Sequence, residues 1–192
     1  MNKGLKEFGI DAIAKMNDLG IIIDVSHLSD GGFYDVAKYT KITNSNLDIL
    51  FSTILGDITD QIGGLQIAYD SINNNKGDAT MRILAGNHDT YFDQWSEYYE
   101  LFGSSTYFFV VKTPTTSDLF IALETASGTL GKLQKKWLED TLKEKRSQHR
   151  YCFILTHTNF FDTDLSQFPS GNFPLEETAF LTNIFAARFK NN

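Results

Sequence analysis

The sequence predicts an α/β layered fold, and three observations carry that expectation. Short runs rich in β-branched and aromatic residues alternate with amphipathic stretches at helical spacing. Two of the runs end in a glycine followed by polar residues, Gly56-Asp57 and Gly86-Asn87-His88, as expected where a buried strand opens into a loop. Apolar residues make up 42% and aromatic residues 14% of the 192, which is enough for a packed core and excludes a disordered chain.

Leu5, Phe8, Ile13, Met16 and Leu19 recur at near-helical spacing before Gly20, so an amphipathic helix is predicted over 5–19. Ile21-Ile22-Ile23, ending at Asp24, predicts a short buried strand. Ser29 or Asp30 then caps a second helix that carries Phe33, Val36 and Ala37 toward about Lys41. Ile42-Thr43-Asn44-Ser45-Asn46 is a polar seam, the expected boundary between a helix-strand-helix segment (1–43) and a larger domain (44–192).

Past the seam the pattern restarts, with strands predicted over 47–55 and 81–85 and a helix over 62–72 between them. An aromatic-faced helix is predicted over 95–102, then a strand pair, 106–112 and 118–124, around Thr113-Pro114-Thr115-Thr116-Ser117. A longer helix over 130–145 precedes a strand over 150–156 that delivers His157 at its end. Ser170-Gly171-Asn172 reads as a turn, and Pro174 suits the first turn of a closing helix over 175–189 with Phe180, Ile184 and Phe185 on one side. The aromatic stretch of Trp95, Tyr98, Tyr99, Phe102, Tyr107, Phe108 and Phe109 is assigned to core packing, and His149 to an exposed loop.

A net charge of −7 argues against a nucleic-acid partner, because no basic patch is present to neutralise a phosphate backbone. Lys132, Lys135 and Lys136 interleave with Leu133, Trp137 and Leu138, as on the wet side of an amphipathic helix. The single cysteine, Cys152, has no intrachain partner and sits in an apolar run, so a buried thiol is expected. The start of the chain lacks the apolar segment of a signal peptide, and no stretch reaches the ~18 apolar residues of a membrane span. The expectation is a soluble, cytoplasmic protein without a membrane partner, or an extracytoplasmic one if the natural N-terminus lies elsewhere.

Asp57, Asn87, His88 and His157 each follow a predicted buried strand, and open α/β sheets place ligands at strand carboxyl ends. A carboxylate oxygen, an amide oxygen and an imidazole nitrogen together suit Mn²⁺, Fe²⁺ or Zn²⁺. The bland alternative for the first three is turn and cap chemistry, and for His157 a satisfied histidine at a strand end. Asp162, Asp164 and Ser166 follow closely and fit either the site or a solvated loop.

Gly56-Asp57-Ile58-Thr59-Asp60, Gly86-Asn87-His88-Asp89 and Thr156-His157-Thr158-Asn159 resemble, in order and spacing, three motifs of the calcineurin-like metallophosphoesterases, over about 47–192. The resemblance implies a layered α/β/β/α sandwich and hydrolysis of phosphate mono- or diesters. It makes Asp57 the carboxylate bridging two metals and Asn87 and His157 ligands of the second. His88 becomes the charge stabiliser or proton donor at the leaving group, with Asp60 and Asp89 as supporting residues. The family's opening Asp-x-His and closing Gly-His-x-His do not occur in these residues. The first metal would keep Asp57 alone and the second Asp57, Asn87 and His157, so one or two ions are expected in an incomplete sandwich. Unpaired sheet edges would favour self-association, and a non-catalytic remnant binding at most one metal is the alternative.

Residues 5–41, with Asp24-Val25-Ser26-His27-Leu28-Ser29-Asp30 and Phe33-Tyr34-Asp35-Val36, resemble instead a helix-strand-helix piece of the membrane dipeptidase family, a metal-dependent (β/α)₈ barrel. That resemblance makes His27 a substrate-binding residue. The piece amounts to about one and a half barrel units, too little to close a barrel.

Overall fold

A computed structural model describes residues 4–19, 23, 29–39, 51–76, 80–159 and 174–189. The chain divides into two compact units, Met1–Ile49 and Leu50–Asn192.

In the first unit α1 (Glu7–Leu19) and α2 (Asp30–Tyr39) pack together through buried Ile13 and Val36. Polar bonds fix the pair: the Leu5 N–H donates to Asp35 Oδ2 at 2.7 Å and Asn17 Nδ2 to the Tyr39 carbonyl at 3.0 Å. Ser29 Oγ accepts the Gly32 N–H at 3.2 Å, which makes Ser29 the cap of α2. The apolar stripe predicted on α1 is only partly used, since Phe8 is 84% exposed. The predicted strand at 21–23, the seam at 42–46 and His27 lie wholly or mostly outside the described residues.

In the second unit β1 (Ser52–Ile54) and β2 (Met81–Ile83) pair in parallel, joined by α3 (Leu65–Asn75). The helix predicted over 62–72 therefore begins three residues late. The chain first turns through Gly63 and Gly64, with Gly63 at φ +73° and Ile62 exposed. A single helical turn, α4 (Asn87–Thr90), and α5 (Trp95–Phe102) follow β2. Leu65, Ala85 and Tyr98 form the core where these elements meet.

β3 (Tyr107–Lys112) pairs antiparallel with β4 (Ser117–Ala122), which pairs in parallel with β5 (Cys152–Leu155). Period-two alternation sorts β4. Leu119 and Ile121 face the main core with Leu138 and Leu142 of α6 (Gly131–Lys145) and Leu181 of α7 (Leu175–Phe189). Phe120 faces the other way, stacked between Phe109 at 4.8 Å and Phe153 at 4.6 Å, with Phe51 edge-on to Phe109 and Phe120 at 5.0 and 5.1 Å. Arg150 forms a two-pronged bond to Asp118, at 3.0 and 2.6 Å, that ties the start of β5 to β4 and holds the Asp118 carboxyl below its ordinary value.

The molecule is thus mixed α/β with two small sheets, and no closed barrel is formed among the described residues. Several side chains depart from expectation. Tyr98 and Phe109 are buried as expected, but Trp95, Tyr99 and Phe108 are substantially exposed, as is Leu133 on α6. His149 is not a free loop residue: its Nδ1 lies 2.7 Å from Ser117 Oγ. Cys152 is half-buried against the main core, and burial pushes its thiol up to about 11. No helix among the described residues is long and apolar enough to cross a membrane.

Candidate functional site

Two chain reversals build the site, one after each strand of the parallel pair. Gly56 (φ +103°) and Asp57 (φ +53°) turn the chain off β1, and Gly86 begins the turn off β2. The two turns touch. A Cβ on Gly56 would lie 2.6 Å from the Gly86 Cα and 2.6 Å from His157 Nδ1, and one on Gly86 would collide with the Asp57 backbone N and Oδ1. Glycine at both positions is what lets the two loops meet.

Asp89 fastens them. Its Oδ1 accepts the N–H groups of Ile58 at 2.7 Å and Thr59 at 3.1 Å, and its Oδ2 that of Gly86 at 2.8 Å. Burial pushes this fully enclosed carboxyl up, against the pull of the three donors. Across the junction Asp57 Oδ1 accepts the His88 N–H at 3.1 Å.

His157 enters from the end of β5, more than a hundred residues from Leu55, whose carbonyl oxygen lies 2.8 Å from its Nδ1. A carbonyl has no hydrogen to give, so Nδ1 carries a proton, and in the tautomer with that proton alone Nε2 presents a lone pair. That Nε2 is 3.0 Å from Asn87 Oδ1 and 3.4 Å from Asp57 Oδ1. Asn87 keeps its oxygen on this side by donating Nδ2 to Tyr91 Oη at 2.7 Å. Three polar atoms that can each offer an electron pair thus approach one another from three loops. A proton on Nε2 would make these contacts a hydrogen bond to Asn87 and an ion pair with Asp57, and a metal ion would take up all three electron pairs at once.

Thr125, fully buried, sets the position of His157. Its Oγ1 accepts the N–H groups of His157 and Thr158, each at 3.0 Å, and its carbonyl accepts the Thr158 hydroxyl at 2.8 Å. Gln134 of α6 braces the preceding residue by accepting the Glu124 N–H at 2.7 Å and donating to the Glu124 carbonyl at 2.9 Å. Sequence reasoning missed both residues. A lone threonine after a strand and a helical glutamine carry no motif, and only the fold brings Thr125 to His157 and Gln134 to the residue before Thr125.

Of the residues singled out in the sequence, Asp57, Asn87 and His157 come together, His88 adjoins them through its backbone with its ring exposed, and Asp89 ties the loops. Asp60 is exposed in the turn beyond and makes no hydrogen bond or ion pair among the described residues. Asp162, Asp164 and Ser166 lie outside those residues. No group of three or more His, Cys, Asp or Glu side chains is placed to hold a metal among the described residues, so the convergent set is completed by the Asn87 amide. A cavity of about 330 Å³, lined by Tyr69, Arg82, Phe102 and Tyr107 among others, contains none of these residues.

Residues 1–51, about a quarter of the chain, match the family described as membrane dipeptidase (peptidase family M19). No curated protein matches the chain.

Proposed function

We propose that residues 44–192 form a domain of the calcineurin-like metallophosphoesterase type that holds one divalent cation on Asp57, Asn87 and His157 and acts on a phosphate ester. The approach of His157 Nε2 to Asn87 Oδ1 at 3.0 Å and to Asp57 Oδ1 at 3.4 Å carries the proposal. These donors, hard oxygens with one imidazole, suit Mn²⁺, Fe²⁺ or Zn²⁺. Two packing relations accord with a layered sandwich: α6 and α7 cover one face of the three-stranded sheet, and α3 and α5 pack with the end of β2.

A bound cation would supply charge neutralisation at the phosphoryl oxygens. The chain's own residues do the rest. Asp57, Asn87 and His157 would hold that cation where the phosphoryl group is to sit, and the Leu55 carbonyl holds the His157 tautomer that leaves Nε2 free. As water forms the new bond to phosphorus and the bond to the alcohol or phenol oxygen breaks, His88, its backbone anchored on Asp57 and its ring open to solvent, would give the departing oxygen its proton, the attacking water's proton passing to solvent. Hydrolysis of an aryl phosphate by the Mn²⁺-loaded protein is expected to fall at least about a hundredfold in both Asp57→Ala and His88→Ala. Activity untouched by both changes overturns the assignment.

The family match favours a second reading, in which the first unit belongs to a metallopeptidase of membrane dipeptidase type and His27 contacts the substrate. Both readings describe metal-dependent hydrolases. Dipeptide hydrolysis abolished by His27→Ala and indifferent to Asp57→Ala would favour the second.

A further inference from the structure

We propose that Tyr91 and Phe92 form an aromatic shelf for the planar leaving group of the substrate, so that the preferred ester is an aryl or nucleobase-bearing phosphate. The proposal rests on the phosphoester assignment above. Phe92 (φ 57°, ψ 36°) and Asp93 (φ 65°) are consecutive non-glycine residues in the left-handed region, where a bulky side chain is disfavoured. The conformation gains little packing in return, since Phe92 is 73% exposed and meets Tyr91 only edge-on. What it achieves is presentation: the largest apolar side chain of the loop is held out in water next to Tyr91, which is bonded to Asn87.

The surroundings hold that presentation fixed. Buried Gln94 accepts the Gly63 N–H through Oε1 at 2.8 Å, which ties the loop after α4 to the loop after β1. Tyr91 accepts the bond from Asn87 Nδ2, and its ring centroid lies 5.3 Å from that of His88 and 6.2 Å from that of Phe92, the Tyr91 and Phe92 rings inclined at 79°. The order outward from the cluster is therefore Asn87, Tyr91, Phe92, with His88 alongside. A planar group leaving from the His88 side can lie on one ring and meet the edge of the other, the geometry aromatic pairs prefer.

The test compares phenylphosphonate with methylphosphonate, neither of which can be hydrolysed, by calorimetric titration of the Mn²⁺-loaded protein. The shelf predicts that phenylphosphonate binds about tenfold more tightly, that Phe92→Ala brings the two ligands within about twofold of each other, and that Phe92→Tyr keeps the preference. Methylphosphonate, which has no ring, is expected to bind wild type and Phe92→Ala alike. Equal binding of both ligands to the wild type, or a preference that survives Phe92→Ala, overturns the shelf and leaves the phosphoester site standing. Binding of neither ligand overturns the phosphoester assignment and the shelf with it.

Discussion

Thr125 shows how much of the site depends on a residue that would never touch substrate. One hydroxyl accepts two successive backbone N–H groups and so decides where the His157 ring is delivered. Thr125→Val should lower Mn²⁺ affinity by roughly tenfold to a hundredfold, as displaced supporting residues do elsewhere, whereas Thr125→Ser restores the acceptor and should restore affinity. Equal affinity of all three proteins, by titration against a metal indicator, would contradict that role. Gly56→Ala is the harsher change, because its Cβ would meet both Gly86 and His157 and adds strain at φ +103°. It should abolish tight metal binding, read by the same titration. Asp57, Asn87 and His157 were legible because ligand types placed after strands form an ordered pattern. Thr125 and Gln134 were not, since their value lies in contacts across 32 and 10 residues of chain.

At the scale of elements, the N-terminus of α6 is capped from another helix. Leu130 offers no side-chain cap, and Glu177 of α7 supplies one: its carboxylate accepts the Leu130 N–H at 2.6 Å, the Gly131 N–H at 3.3 Å and the Thr129 hydroxyl at 3.0 Å, and pairs with Lys135 at 3.1 Å. Burial alone would push this carboxyl up, but those donors outweigh it and hold it below the ordinary 4.5. A carboxyl depressed in the folded state gives stability that is fully present above its unfolded value and lost as pH falls through the folded one. Wild type should therefore lose stability below about pH 4.5 more steeply than Glu177→Gln, with the variant about 1–3 kcal/mol less stable at neutral pH by denaturant titration. Parallel pH profiles would contradict the cap. Leu181→Ala, at a fully buried position on the same helix, should cost about 2–5 kcal/mol. The helices over 95–102 and 175–189 were read from apolar spacing to the residue, because nothing competes with that signal there. The start of α3 was misplaced because Ile62 extends the apolar pattern into a glycine turn that cannot be helical.

At the scale of the whole molecule, the chain joins two units, and the membrane dipeptidase match over residues 1–51 falls almost wholly on the first. The alternation of strands and helices was enough to foresee a mixed α/β protein, but not how its five described strands split into sheets of two and three, since pairing is decided by contacts distant in sequence. β3 and β5 are the outer strands of the larger sheet, and Phe153 on β5 is substantially exposed. Outer strands with exposed aromatics pair readily with other chains. Light scattering should show concentration-dependent association that Phe153→Lys reduces.

The central claim is that Asp57, Asn87 and His157 hold a cation, and elemental analysis of the purified chain, loaded with Mn²⁺ and desalted, tests it most directly. One ion per chain is expected, retained in His27→Ala and lost in Asp57→Ala. A chain that holds no ion, or one that keeps its ion in Asp57→Ala, would contradict it.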